Sequence, residues 1–436
     1  MSYTSFTINL KKIYFGILLF ILTFGPKFLG WIDFIALVSF FLFIYYFIII
    51  RKPINSLLLR SILPLLILLL HCFFLTIKAG STDFFYLYRT SRSILNILGV
   101  YALCELYWQT FGSFSLLLMI DTMFWVITVH AVIMILMYLY PDFGKFVYNL
   151  TLSMEPQAKI FIGWRVTGLT EGLGTTSVTQ SIGILLAPIL LSTKSHLIQR
   201  IIVYPYAVII IFLSIMISGR TGLFLSIPYF IVGIGLIFFI QKRHYFSTIS
   251  HFLIGLVFIL IIGQLFIFNI LPKDAIWRWK HITLPHAFEG FYSLKETGNF
   301  RIKSFEDVIE DQFFLPSDVV VFIFGTGESG REDSSYLPSD VGYVRFIFGI
   351  GLVGSILAYS FYLVVLIYAL RILSDAPVLG VITITSTIGY LIAHAKTIVI
   401  LTRNGLTVTS LLLSICIIII QKNIKMYKVK NNEYNV

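Results

Sequence analysis

Residues 201–240 read IIVYPYAVIIIFLSIMISGRTGLFLSIPYFIVGIGLIFFI, two apolar runs on either side of the polar turn SGRTG at 218–222. Each run is close to the roughly 20 residues that an α-helix needs to cross the hydrocarbon core of a bilayer. Because the turn between them is short, the two runs predict a hairpin of two antiparallel transmembrane helices.

The rest of the chain repeats this pattern. Of its 436 residues, 58% are hydrophobic and 12% are charged, whereas soluble globular proteins carry about 25% charged residues. The composition therefore excludes a soluble protein and predicts an all-α polytopic membrane protein. Its apolar runs predict about 12 transmembrane helices, at about 13–29, 31–50, 61–77, 93–109, 114–139, 181–193, 201–217, 223–240, 248–271, 342–370, 377–394 and 399–420.

Two longer polar stretches divide the chain. Residues 1–271 contain the first nine predicted helices and an outer loop at about 141–180. A large outer loop at 272–341 follows, then the last three helices within 342–420 and a tail at 421–436.

The distribution of charge indicates the orientation. With a cytoplasmic N-terminus, the inner loops contain 14 Lys and Arg residues and the short outer loops contain six, as the positive-inside rule requires. Both termini are then cytoplasmic, and 12 of the 21 acidic residues fall in the large outer loop. We therefore attribute the net charge of +11 to basic residues of the inner loops, which face membrane lipids, and to basic residues that bind an anionic lipid ligand. The charge does not indicate binding to nucleic acid.

The large outer loop is too aromatic to be a disordered linker. Ser304 and Asp307 resemble a capping box, and apolar residues at helical spacing predict a short amphipathic helix at 305–313. Near the start of the loop, Trp277 and Trp279 precede His281. Two tryptophans at a membrane edge are most often an interfacial belt, although aromatic faces also stack on sugars.

Three stretches carry candidate anion-binding groups. Arg220 lies between the glycines of SGRTG, where its guanidinium group and nearby backbone N–H groups could hold a phosphate, or where it could extend to lipid headgroups. Arg165 and Glu171 lie in RVTGLTEG at 165–172, which could equally be an ordinary polar loop. The third stretch, FGTGE at 324–328 and SDVGYVR at 339–345, contributes Asp340, Tyr343 and Arg345, which could instead be interfacial anchors.

Ionisable residues inside predicted helices are functional candidates by default because they are costly in a membrane. They are His71, Glu105, Asp121, His130 and His394. Glu105 and Asp121 lie near inner helix ends, where structural pairing is favoured over function. The chain has no Walker loop, no HExxH and no metal-ligand spacing around its three cysteines, so the sequence indicates neither a cofactor nor a metal.

The layout and local motifs together resemble a known family. The number of helices, SGRTG, RVTGLTEG, and a large outer loop that ends in FGTGESG and SDVGYVRFIFGIGLVG are similar to bacterial O-antigen polymerases of the Wzy-dependent pathway. The resemblance implies a metal-independent, inverting glycosyltransferase in the inner membrane. It would act on the periplasmic side and move a growing glycan from undecaprenyl diphosphate onto the next lipid-linked repeat unit. A chain-length-regulating partner in the same membrane is left open.

The chemistry of that reaction matches the residue types. A diphosphate leaving group requires stabilisation of its charge, and the acceptor hydroxyl requires a base. We expect Arg165 and Arg220 to bind the diphosphate, assisted by Arg345 or Arg301. Asp340 is the first choice for the base and Glu171 the second, and the glycan would bind Trp277, Trp279, Tyr343 and His281.

Two alternatives remain at this stage. O-antigen ligases share the layout and typically have a functional histidine near the end of the large loop. Here the last histidines of the loop, His281 and His286, are far from the next helix, which favours the polymerase. A flippase or transporter would use intramembrane residues such as Glu105, Asp121 and His130 as a proton relay.

Overall fold

The structure is a computed structural model of the full chain. It describes residues 3–28, 32–79, 83–112, 115–151, 165–170, 172–193, 196–240, 246–247, 249–257, 272–299, 301–302, 306, 308, 310–329 and 337–422.

The regular secondary structure of the described residues is helical apart from one small antiparallel pair of strands, β1 (Lys27–Phe28) and β2 (Ile32–Asp33). π-Helical turns at Ile44–Ile49, Gln199–Val203 and Trp279–Thr283 extend or join helices. The α-helices are α1 (Tyr3–Phe24), α2 (Phe34–Phe43), α3 (Ser56–Ala79), α4 (Phe85–Phe111), α5 (Ser115–Leu139), α6 (Pro141–Thr151), α7 (Leu173–Thr193), α8 (Tyr204–Ser218), α9 (Arg220–Ile240), α10 (Lys273–Arg278), α11 (Leu284–Ala287), α12 (Glu289–Thr297), α13 (Val319–Phe324), α14 (Gly342–Arg371), α15 (Pro377–His394) and α16 (Arg403–Lys422).

Eight of these helices are long and apolar enough to cross a membrane. They are α3, α5, α7, α8 with the turn before it, α9, α14, α15 and α16. This agrees with the all-α, multi-pass membrane protein predicted from composition. The number of about 12 spans stays a prediction. The runs at about 13–29, 31–50 and 93–109 are not among the eight helices, and much of the run at 248–271 lies outside the described residues. The amphipathic helix predicted at 305–313 also falls partly outside them.

The chain forms two compact units that are interleaved along the sequence. Unit 1 consists of Met1–Leu37, Ile120–Phe313 and Lys396–Val399. Unit 2 consists of Val38–Met119, Phe314–Ala395 and Ile400–Val436.

The central element of unit 1 is α7, which packs against α8 and α9. Several of its buried hydroxyl groups bond to the backbone of the same helix: the Thr179 hydroxyl donates to the Thr175 carbonyl at 3.0 Å, one turn earlier. Gly222 lets α9 approach α7 closely, because a Cβ at this position would clash with the backbone carbonyl of Ser177. Small residues commonly allow such close helix packing in membranes.

In unit 2, the long helix α14 packs against α3, α13 and α15, while α16 packs against α4. Gly351 interrupts α14 with a positive φ of 68°, a conformation that glycine tolerates best. The interruption exposes carbonyl groups of the preceding turn. Thr326 and Gly327 donate their N–H groups to the carbonyls of Phe348 and Gly349, both at 2.8 Å. Part of the FGTGE motif thus pairs with the broken turn of α14.

Candidate functional site

The SGRTG turn is a very tight connection between two helices. Ser218 ends α8, Arg220 begins α9, and Gly219 alone joins them in an extended conformation. The Gly222 N–H donates to the Ser177 hydroxyl at 3.1 Å, which ties the start of α9 to α7. Arg220 is therefore held at the end of a rigid hairpin, with its side chain only 16% exposed.

The segment 165–170 lies against the same hairpin. The Val166 N–H donates to the carbonyl of Ile217, near the end of α8, at 3.2 Å. The Thr167 N–H donates to the Tyr148 hydroxyl of α6 at 3.1 Å. These two bonds fix the backbone on both sides of the buried Val166 and bring Arg165 to the side of the hairpin that carries Arg220.

His130 of α5 also binds the 165–170 segment. The Leu169 N–H donates to Nε2 of His130 at 3.2 Å, and the amide of Gln180 lies 2.8 Å from Nδ1. Because Nε2 accepts, the ring proton is on Nδ1, and we assign the Gln180 amide oxygen to that contact. His130 is fully buried and stacks on Phe24. Its contacts are those of a structural residue that shapes the loop.

The start of the large loop is anchored to α5. The guanidinium group of Arg278 donates to the Tyr138 carbonyl at 2.8 Å, and the Tyr138 hydroxyl lies 2.9 Å from the Thr283 hydroxyl. Helix α11, which follows, contacts both α8 and α9. This arrangement brings His286 of α11 and Glu289 of α12 to the hairpin, where Glu289 forms an ion pair with Arg220.

Lys396, from a distant part of the sequence, also lies close enough for its charge to act on His286. It lies in the turn Lys396–Val399, which belongs to unit 1. The turn packs against the start of α7 at Gly174, where a Cβ would come within 2.5 Å of Thr397. Glycine at this position therefore makes room for the turn.

We call Arg165, Arg220, His286, Glu289 and Lys396 the basic cluster. Burial, and then the positive charge of Arg220, lower the pKa of Arg165 to about 10. Burial, and then the charges of Arg165, Arg220 and Lys396, lower the pKa of His286 to about 3. At neutral pH the cluster therefore contains three cations, one carboxylate and a neutral imidazole. Such a surplus of positive charge in a partly buried place favours an anionic ligand.

The imidazole of His286 has an unused nitrogen. Its Nε2 is buried and has no hydrogen-bond partner among the described residues. A buried polar atom of this kind is costly, and a hydrogen bond from a ligand hydroxyl would satisfy it.

Three of the predicted site residues belong to unit 2. Asp340 is exposed, just before α14. Arg345 donates through Nε to the Ser339 carbonyl at 2.5 Å, and Tyr343 donates its hydroxyl to the Leu391 carbonyl at 2.7 Å. These contacts fix the start of α14, and the roles predicted for the three residues remain predictions.

The other predicted polar residues are spread more widely. Glu171 lies outside the described residues. Arg301 belongs to unit 1, has a side chain that is 68% exposed and lies 3.9 Å from Glu306. It is not among the charges that act on His286 or Arg165.

The predicted glycan-binding aromatic residues of unit 1 differ in exposure. Trp277 is 56% exposed, and its ring stacks on His281 with 5.0 Å between centroids. Trp279 is partly buried and meets Tyr138 edge-on at 6.3 Å. Trp277 and His281 therefore offer an accessible flat surface, while Trp279 mainly anchors the loop.

His286, Glu289 and Lys396 are not among the site residues predicted from the sequence. Their positions gave little signal, since His286 and Glu289 lie in a long loop without a motif and Lys396 is more than 100 residues away.

Comparisons of the chain with protein-family models, with curated proteins and with solved structures gave no match.

Proposed function

We propose that the chain is a membrane glycosyltransferase that polymerises undecaprenyl-diphosphate-linked oligosaccharide repeat units into O-antigen or a related surface polysaccharide. It would act on the periplasmic side of the bacterial inner membrane, with both termini cytoplasmic. The observation that carries the proposal is the basic cluster, in which the charges of Arg165, Arg220 and Lys396 all act on His286.

The cluster suits a diphosphate leaving group. In the transfer step, negative charge grows on the diphosphate oxygen that leaves the sugar. Guanidinium groups in a partly dry site stabilise such charge strongly, and they bind phosphate oxygens through two parallel N–H groups. We assign this role to Arg165 and Arg220, and Lys396 adds a third positive charge without a fixed direction.

We assign the role of base to His286. Its neutral imidazole can accept a proton, and Nε2 has no competing partner among the described residues. Burial, and then the neighbouring cations, make the imidazole a weak base. A bound diphosphate would offset the charges of the cations and so raise the pKa of His286, which would make the base more effective when the donor is bound.

The proposed step is a direct displacement. The acceptor hydroxyl oxygen forms a bond to the anomeric carbon of the donor glycan while its proton passes to Nε2 of His286. The bond from the anomeric carbon to the diphosphate breaks, and its electron pair stays on the diphosphate oxygen, held by the arginines. The configuration at the anomeric carbon is inverted, and undecaprenyl diphosphate leaves.

An O-antigen ligase is the second candidate, and one observation favours it. The resemblance implies a functional histidine for ligases, and His286 lies in the basic cluster despite its distance in sequence from the next helix. The ligase would perform the same displacement with a lipid A-core acceptor.

A transporter has less support. The residues that would relay protons have local structural partners: Asp121 accepts from the Tyr204 hydroxyl at 2.6 Å, and Glu105 accepts from the Tyr101 hydroxyl at 3.2 Å. His130 holds the 165–170 segment. These contacts leave the charged groups of the basic cluster as the better candidates for function.

An in-frame deletion in the source strain tests the proposal, with surface glycolipid separated on a gel. We expect the long ladder to collapse to lipid core plus a single repeat unit, because flipping and ligation still proceed. Loss of even the single-repeat band would reject the polymerase in favour of the ligase or flippase.

A further inference from the structure

Unit 2 contains a polar cavity of about 240 Å³ where three helical segments end. Tyr46 comes from the π-helical turn after α2, Glu105 from the last two turns of α4, and Lys422 from the end of α16. Lys52 and Asn55 of the connection before α3 complete the rim. The cavity shares no residue with the basic cluster.

Glu105 is the unusual group in this cavity. It is only 5% exposed, and among the described residues no basic group lies within ion-pair distance of it. Its carboxylate receives a hydrogen bond from the Tyr101 hydroxyl at 3.2 Å, and the Tyr46 hydroxyl lies nearby. Tyr101 in turn accepts from the Asn55 amide at 3.2 Å. Neutral donors do not supply the positive charge that a buried carboxylate requires, and within the described part of the chain no cation is paired with it.

The mouth of the cavity carries the opposite charge. Lys52 and Lys422 are exposed there and line the same space. Beside the mouth, Ile48 and Ile49 are 58% and 64% exposed, as expected for side chains that face lipid. A positively charged rim next to an apolar surface is typical of a membrane boundary.

We propose that this cavity binds the headgroup of a phospholipid that carries a primary ammonium group, as in phosphatidylethanolamine. The ammonium group enters far enough to pair with Glu105 and the tyrosine hydroxyls, which supplies the missing positive charge. The phosphate stays at the mouth between Lys52 and Lys422, and the acyl chains lie along the exposed isoleucines. The negative charge of Glu105 then faces the ammonium group inside the cavity, and the positive charges of Lys52 and Lys422 face the phosphate at its mouth.

This site is independent of the proposed glycosyl transfer. Binding is measured by native mass spectrometry of the full chain in detergent, with phosphatidylethanolamine or phosphatidylglycerol of the same acyl chains. Both lipids have a phosphate, so the comparison isolates the ammonium group. We expect roughly tenfold stronger retention of phosphatidylethanolamine, as for one hydrogen bond to a charged group. Equal retention of the two lipids would overturn the proposal.

Variants locate the lipid. Glu105→Gln should abolish the preference, while Asp121→Asn, which alters another carboxylate bonded to a tyrosine, should keep it. A preference that survives in Glu105→Gln would reject the cavity as the site. Because Glu105→Gln could impair folding, the exposed pair Lys52→Ala and Lys422→Ala provides a second test, and it should weaken retention of both lipids. Unchanged retention in this double variant would also reject the site.

A soluble competitor distinguishes a lipid from a small ligand. Glycerophosphoethanolamine has the same headgroup without acyl chains, and at equal concentration it should leave the bound lipid in place. Complete displacement of the lipid by this compound would overturn the assignment to a lipid.

Discussion

Glu289, the first residue of α12, forms an ion pair with Arg220, the first residue of α9. This carboxylate pairs with the guanidinium group that we assign to the diphosphate. A diphosphate must therefore displace Glu289 from Arg220, and the ion pair competes with the ligand.

Removing the negative charge of Glu289 should tighten anion binding. We expect Glu289→Gln to bind pyrophosphate about two- to fivefold more tightly than the wild type, because partly exposed ion pairs contribute about 0.2–1 kcal/mol. Isothermal titration calorimetry of the purified protein measures the change in affinity for pyrophosphate. Glu296→Gln, an exposed substitution in the same helix, is the control and should bind as the wild type does. Unchanged or weaker binding in Glu289→Gln would contradict the competition.

The two arginines should be essential for transfer. We expect Arg165→Ala and Arg220→Ala each to lower chain extension by about 10²- to 10³-fold, the usual cost of losing one donor to a developing negative charge. The glycolipid ladder on a gel, with protein level checked by immunoblot, measures this. Arg60→Ala, at an exposed position of α3, should give normal chains. A normal ladder in either cluster variant, at normal protein level, would reject its role in diphosphate binding.

The substitution of lysine for arginine separates charge from shape. Arg220→Lys keeps the charge but loses the planar group that binds two phosphate oxygens at once. We expect activity between those of the wild type and Arg220→Ala. Wild-type activity in Arg220→Lys would show that charge alone suffices.

The sequence predicted the membrane class and two of the five residues of the basic cluster. Apolar run length is a local property, so runs such as 223–240 located helices well. Arg165 and Arg220 could be selected because each lies beside glycines in a polar turn. Their convergence, however, depends on a hydrogen bond from Val166 to Ile217, and no local pattern predicts such a contact.

The remainder of the site depends on tertiary structure. Lys396 meets the cluster only because Gly174 makes room for its turn, and His286 only because Arg278 and Tyr138 anchor the preceding segment. Conversely, the glycine-rich motif FGTGE resembles a ligand-binding loop in sequence. In the structure, two of its N–H groups donate to carbonyls of the interrupted helix α14. Sequence alone does not distinguish these two uses of glycine.

The pH dependence of transfer should change when Lys396 is replaced, because the charge of Lys396 helps to lower the pKa of His286. In kcat/KM, which reflects the free enzyme, the base His286 should stay neutral over the accessible range because its pKa is lowered to about 3. Lys396→Ala removes one of the cations that disfavour the imidazolium form. The pKa of His286 should then rise, and the loss of kcat/KM on acidification should begin at a higher pH than in the wild type.

Two further variants complete this test. Lys295→Ala, at an exposed position of α12, should leave the pH profile unchanged. His286→Gln should lower kcat by about 10²- to 10⁴-fold, the usual contribution of a general base, with pyrophosphate binding retained. If Lys396→Ala had the wild-type profile, or His286→Gln had normal kcat, His286 would not be the base.

The close packing of α9 on α7 should make Gly222 sensitive to the smallest substitution. In Gly222→Ala the added Cβ would clash with the backbone of Ser177, so the start of α9 and Arg220 with it must move. Forcing an extra methyl group into a tight contact costs about 1–3 kcal/mol, and we expect a lower unfolding temperature in detergent and reduced chain extension. Gly235→Ala in the same helix meets no atom within 4 Å. Since alanine is a better helix former than glycine, this variant should match or exceed wild-type stability. Equal unfolding temperatures for the two variants would show that α9 is free to move away from α7.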